Sequence, residues 1–180
     1  MKWDYEFDVV VVGSGNGALT AALCSHDGGA KTLVIEKSDQ FGGTSATSGG
    51  GVWIPNNRYA KAENVDDSTE DARDYINSVS PPGKIKDELV ETYLSEAPKM
   101  IDYLHENSQV KYRNLAHYPD YFPDNPGGKA GNRSMEPEPI YGTKLGKDLG
   151  KLREQHPQTA FTMGPINMNF TQVEGQLLLG

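Results

Sequence analysis

Asp8-Val9-Val10-Val11-Val12-Gly13-Ser14-Gly15-Asn16-Gly17-Ala18 is an apolar, β-branched run that enters a glycine-rich turn. The helix-compatible Leu19-Thr20-Ala21-Ala22-Leu23-Cys24 follows, Leu33-Val34-Ile35 restarts a strand, and Glu36 stands directly after it. This is the pattern of a βαβ unit with an acid about twenty residues beyond the turn, the layout that a dinucleotide requires. In such a turn Gly13 makes the bend, Gly15 lets backbone approach a pyrophosphate, and Ala18 is small enough for helix and strand to pack. The four N–H groups that open the helix are expected to point, unpaired, at the anion. Both oxygens of the Glu36 carboxylate would accept from the 2′- and 3′-hydroxyls of an adenosine ribose. The same charge repels a 2′-phosphate and disfavours NADP. The competing readings are a bare glycine turn and a solvated acid at a strand end.

The next block, Phe41-Gly42-Gly43-Thr44-Ser45-Ala46-Thr47-Ser48-Gly49-Gly50-Gly51-Val52-Trp53-Ile54-Pro55, reads as a second loop dense in glycine and hydroxyls where an NAD domain would proceed to another helix. Such a loop offers N–H and Ser/Thr donors to a pyrophosphate, a ribityl chain and a flavin edge. As a plain linker it would strand Val52, Trp53 and Ile54 in water. Gly42-Gly43-Thr44-Ser45 with Ser48-Gly49-Gly50 resembles the flavin-binding loop of the fumarate reductase and succinate dehydrogenase flavoprotein superfamily. The continuation Gly49 to Pro55 resembles one branch of it, the 3-ketosteroid Δ1-dehydrogenases. The resemblance implies FAD as cofactor, held by Gly13, Ser14, Gly15, Asn16, Gly17, Ala18, Glu36, Lys37, Gly42, Gly43, Thr44, Ser45, Ser48, Gly49 and Gly50. The fold class expected is α/β: a Rossmann-like FAD-binding βαβ unit of glutathione-reductase type with helical and irregular cap segments, as part of an incomplete domain.

The 180 residues are 36% hydrophobic with a net charge of −8, which argues against nucleic acid or an anionic membrane surface as partner. The mean hydropathy of −0.61 is polar for a complete domain of this size. No apolar run approaches the ~20 residues of a spanning helix, and Met1-Lys2-Trp3-Asp4-Tyr5-Glu6 lacks signal-peptide order, so the expected location is the cytoplasm. No metal site is expected. Cys24, the single cysteine, is expected to pack as a small residue on the first helix.

Four segments are expected: the FAD-binding unit over 1–60, a helical segment over 61–110, a loop-rich substrate or cap segment over 111–160, and the start of a further segment over 161–180. Asp67-Ser68-Thr69-Glu70-Asp71 has capping-box spacing and opens a helix that runs through Ile76 and Val79 to Pro81-Pro82-Gly83. A longer helix follows with Ile85, Leu89, Val90, Tyr93, Leu94 and Ala97 on one face, and Pro98 is expected to divide it from a second piece carrying Met100, Ile101 and Leu104. His105 reads as a solvated helix-end residue. From His117 to Pro139 the sequence has no periodicity and reads as a long functional loop. Lys144 to His156 reads as a polar helix or turn. Arg133 reads as a surface charge in a lid connection. The final run to Leu179 and Gly180 is apolar and uncapped, the mark of a truncated chain.

Tyr118-Pro119-Asp120-Tyr121-Phe122-Pro123 places three aromatic rings in five residues. In the 3-ketosteroid dehydrogenases a Pro-Asp-Tyr segment supplies an active-site tyrosine, and Tyr121 stands at the matching position. The resemblance gives Tyr121 a catalytic role: its hydroxyl hydrogen-bonds to a second tyrosine and favours that partner's phenolate as base. A packed loop aromatic is the alternative, and Tyr118 is a weaker candidate. The implied reaction is 1,2-desaturation of a hydrophobic, steroid-like 3-oxo substrate, with the C2 proton going to the phenolate and hydride from C1 to flavin N5. The base and the carbonyl donors are expected beyond residue 180. A related ene-reductase or 4-ene dehydrogenase, and a nucleotide-binding fragment without catalysis, are the alternatives.

Overall fold

The computed structural model describes residues 3–155. The segment expected over 161–180, the final residues of the 111–160 segment and the uncapped apolar end lie outside the described residues. The described chain divides into two units, one formed by 3–50 with 140–155 and the other by 51–139.

In the first unit, β1 (Val9–Val12) pairs in parallel with β2 (Thr32–Ile35), Val9 opposite Thr32 and Val12 opposite Ile35. Helix α1 (Asn16–Asp27) makes the crossover that parallel strands need. The turn into it depends on Gly13, whose φ of +98° is a conformation that a side chain rarely tolerates. Its N–H still bonds to the Ile35 carbonyl at 2.7 Å, so the strands remain joined up to the turn. Cys24 is exposed on α1, contrary to the packing expected of it.

The segment after Phe41 is not all loop. Gly42 and Gly43 both take positive φ (106° and 56°), which winds the chain into the single-turn helix α2 (Gly43–Thr47). Thr47 and Ser48 then turn their hydroxyls back onto the Thr44 and Ser45 carbonyls at 2.8 and 2.9 Å. Gly142–Lys151 forms a 3-10 helix kinked at Gly146, and the chain beyond it bridges to Phe41 through Leu152.

The second unit is an antiparallel sheet flanked by helices. β5 (Ser134–Pro137) lies between β3 (Val52–Trp53) and β4 (Tyr112–Asn114). The expectation of an unbroken loop from His117 to Pro139 is corrected by β5, which is too short to show periodicity but buries Met135 completely. Helix α3 (Arg58–Ala62) is capped by Asn57, whose side-chain oxygen accepts from the Tyr59 and Ala60 N–H groups. The Asn57 amide also donates to the carbonyls of Ile54 and Asn132, both at 2.9 Å. Helix α4 (Thr69–Val79) starts as the capping signal predicts, with the Ser68 hydroxyl accepting from Asp71 N at 3.0 Å.

Helix α5 (Asp87–Asn107) runs straight through Pro98, against the expected division. An interior proline costs about 3 kcal/mol, whereas burying a side chain of Ile or Leu size returns about 1.5–3 kcal/mol each. Ile101 and Leu104, beyond the proline, are both buried, as are Val90, Leu94 and Ala97 before it. One continuous helix keeps all five on the same side. Leu89 is exposed, Tyr93 is 41% exposed yet stacks on the Trp53 ring and donates its hydroxyl to the Trp53 carbonyl, and Ile85 precedes the helix. The core formed around Ile54, Ala97, Ile101, Tyr112 and Met135 joins α5 to the sheet, and a second cluster of Ala72, Val90 and Leu94 joins it to α4.

Arg133 is not a surface charge. It is 1% exposed, and its guanidinium donates to Asp67 (Nη2 to Oδ1, 2.7 Å) and to Asp120 (Nη1 to Oδ2, 2.9 Å). It also lies over the rings of Trp53 and Tyr75, at 5.5 and 5.8 Å from their centroids. Asp67 therefore serves Arg133 while Ser68 alone caps the helix.

His105 is likewise partnered. Its Nδ1 lies 2.9 Å from the Tyr59 hydroxyl, which accepts from the Tyr112 N–H at 2.9 Å and so has its own proton to donate to the imidazole. Burial, then the charges of Arg58 and Lys111, hold the imidazole below its ordinary value of 6.5. A histidine with a depressed folded pKa contributes stability that is complete above the unfolded value and lost as pH falls through the folded one. The full-length protein should therefore lose thermal stability on going from pH 7.5 towards 5, and His105→Gln should flatten that dependence. An identical slope in the variant would assign the acid sensitivity to other groups.

Candidate cofactor and active site

The glycine turn and the second glycine block are tied together by Ser14. Its buried hydroxyl donates to Glu36 Oε2 at 2.5 Å and accepts from the Gly42 N–H at 3.0 Å. The other carboxylate oxygen of Glu36 accepts from Ser38 N at 3.1 Å. These bonds, that from Ser14 foremost, hold the Glu36 carboxyl below the usual carboxylate range, so it is an anion at neutral pH with lone pairs remaining on both oxygens.

The start of α1 is less open than the sequence implies. The Asn16 N–H, one of the four expected to face an anion, bonds to Ser45 Oγ on α2 at 3.0 Å. Leu19 N makes the first intrahelical bond, to Gly15 O at 2.9 Å. The N–H groups of Gly17 and Ala18 fall between these two and have no acceptor within the helix. Ser14 and Ser48 both spend their hydroxyl protons on protein acceptors, Ser48 donating to Ser45 O while it accepts from Gly50 N at 3.1 Å. Ser45 retains its own proton for donation, and Thr44 lies exposed beside it. Lys37 and Gly49 are exposed, Gly43 borders the turn, and a Cβ built on it would lie 3.5 Å from Gly15 Cα.

Whether these residues suit a dinucleotide can be tested on the glycines. Gly15 has φ −73° and ψ 173°, open to any residue, and a Cβ on it would meet only Ser45 Oγ at 3.4 Å. A Cβ on Gly17 would meet nothing within 4 Å. The chain's own packing does not demand glycine at either position. A pyrophosphate lying on the backbone at the N-terminus of α1 does, and it fits the free N–H groups and the ribose-directed anion of Glu36. The residues present thus fit FAD.

In the other unit, Tyr121 is 84% exposed and Phe122 is also largely exposed. What holds the loop is Asp120. Its side chain, 2% exposed, accepts from Trp53 Nε1 (2.6 Å), Lys129 N (3.0 Å) and Arg133. The Asp120 N–H donates to Lys129 O at 2.9 Å, and the Tyr75 hydroxyl accepts from Phe122 N at 3.3 Å. Gly127 takes φ +71° where a Cβ would stand 1.9 Å from Asp71 O, so the loop lies flat against α4. Tyr118 is half-buried; burial first, then the neighbouring Tyr121, pushes its hydroxyl above the usual phenol value. Asp120, Arg133, Asp67 and Asn57 were not identified as site-shaping from sequence. For Asp120, the adjacency to Tyr121 was the available signal.

A family model described as FAD binding domain matches residues 8–171. The chain is 38% identical to the 3-oxosteroid 1-dehydrogenase of Mycolicibacterium smegmatis over 93% of its length, and 41% identical to that of Mycobacterium tuberculosis over 91%. It covers only 29% and 28% of those proteins. Among solved structures, the 3-ketosteroid Δ1-dehydrogenase of Sterolibacterium denitrificans, in complex with 1,4-androstadiene-3,17-dione, superposes with a TM-score of 0.78 at 42% identity, over 83% of this chain and 26% of that one. With the model match spanning most of its residues, the chain belongs to the FAD-binding domain family.

Proposed function

We propose that the protein to which these residues belong is an FAD-dependent 1,2-dehydrogenase of 3-oxosteroids, with Tyr121 in its active site. The observation that carries the reading is the mounting of Tyr121: an exposed phenol on a backbone fixed on either side by Asp120 and Phe122. Exposure is costly for an aromatic whose role is packing, and it suits one whose hydroxyl meets a substrate or partner group. The similarity to the 3-oxosteroid dehydrogenases supports the same assignment.

FAD supplies the two-electron acceptor for the hydride lost from C1. The protein's part is to remove the C2 proton, acidified by the neighbouring carbonyl, as the C1–C2 double bond forms. In this reading the exposed Tyr121 hydroxyl donates to a base tyrosine elsewhere in the protein. A donor aimed at a phenolate stabilises the charged form and brings the base nearer the working pH.

Two outcomes test this reading. Tyr121→Phe in the full-length enzyme removes only an exposed hydroxyl, so thermal stability should move little. The rate with 3-oxosteroids should fall roughly tenfold or more, since ~1.36 kcal/mol of barrier is a factor of ten, and the pH–rate profile should shift to higher pH. Wild-type turnover would remove Tyr121 from the mechanism. For the cofactor, Glu36→Ala should weaken FAD binding by roughly tenfold or more, because charge-assisted bonds to the ribose are lost. An unchanged FAD titration would return Glu36 to the role of a strand-end acid.

A further inference from the structure

We propose that Asp120 is a positioning residue for Tyr121: its buried carboxylate, gripped by Arg133, Trp53 and the Lys129 amide, fixes the point from which the tyrosine ring projects. The inference rests on the proposed role of Tyr121 and adds what aims it. Residues 120–129 form a loop closed at its neck by two reciprocal bonds, Asp120 N to Lys129 O and Lys129 N to Asp120 Oδ2. Within the loop, Asn125 N bonds to Phe122 O and Gly128 N to Asn125 O, at 3.1 and 2.8 Å. Outside it, Lys129 Nζ pairs with Asp71 and the Asn125 amide donates to Ser78, both on α4. The backbone on both sides of Tyr121 is thus anchored, while its ring stands exposed.

The carboxylate is required at 120 because of what faces it. Oδ2 accepts from two donors, the Lys129 N–H and Arg133 Nη1, while Oδ1 accepts from the Trp53 indole. An amide in place of the carboxylate keeps the size and the bond to Trp53 but sets an NH₂ against two N–H groups. The neck of the loop is then released on the side that leads to Tyr121. Groups that act as a unit are non-additive when removed together, and this distinguishes positioning from general destabilisation.

The test is a double-mutant cycle in the full-length, FAD-loaded enzyme, with kcat, KM and the pH–rate profile measured for Asp120→Asn, Tyr121→Phe and the pair. Asp120→Asn should lower kcat by roughly tenfold while KM changes by less than about threefold, and should move the profile to higher pH as Tyr121→Phe does. In the Tyr121→Phe background it should cost less than about twofold more. Trp53→Phe, which removes the indole donor to Asp120 together with part of the ring over Arg133, should show the same pattern in milder form and serves if Asp120→Asn does not fold. Equal losses in both backgrounds, or a loss of rate with an unmoved profile, would make Asp120 purely structural and overturn the proposal. If Tyr121→Phe alone leaves turnover intact, the reading of Tyr121 fails first, and any loss in Asp120→Asn then has another origin.

Discussion

A single guanidinium organises the unit formed by residues 51–139. Arg133 is enclosed by the carboxylates of Asp67 and Asp120 and by the faces of Trp53 and Tyr75. Its backbone carbonyl accepts from Ile54 N at 2.7 Å, so the same residue fixes the strand that carries Trp53. The segment before α4, the loop carrying Tyr121 and two strands of the sheet therefore meet at one cation. Burying three charged groups is costly, and removing one partner of such a set costs about 3–5 kcal/mol because the others are left uncompensated. An arrangement with that penalty specifies geometry more than it adds stability, which matches its hold on Asp120, the residue before the exposed Tyr121.

In the other unit the corresponding role falls to a neutral hydroxyl. Ser14 joins the turn after β1, the acid after β2 and Gly42, the residue that caps α2, through two hydrogen bonds. Ser45, on α2, then takes the Asn16 N–H. Two loops that each resemble a phosphate-binding element by themselves are thereby held as one surface, with Glu36 kept ionised at its edge.

The legible parts of the sequence were those governed by local geometry. Gly13 at positive φ, the Ser68 cap and the apolar strands follow from steric and capping rules acting over a few residues, so the βαβ unit and α4 stand where the sequence puts them. What escaped was set by distant partners. Arg133 meets Asp67 66 positions away, and nothing in the glycine-rich stretch around it signals burial. Pro98 marks a break by propensity, but the apolar side shared by Ala97 and Ile101 overrides it. His105 looks solvated until the Tyr59 hydroxyl is brought beside it from 46 positions earlier. For the same reason the Asn16 N–H is lost to Ser45, a contact between two motifs that were each read in isolation.

The central claim, that this FAD-binding chain belongs to a dehydrogenase of 3-oxosteroids, is tested most directly by the flavin spectrum. The purified full-length protein should be yellow, and under anaerobic conditions its flavin absorbance should bleach when a 3-oxosteroid saturated at C1–C2 is added and stay unchanged with succinate. Bleaching by succinate, or a flavin that no 3-oxosteroid reduces, would contradict the account.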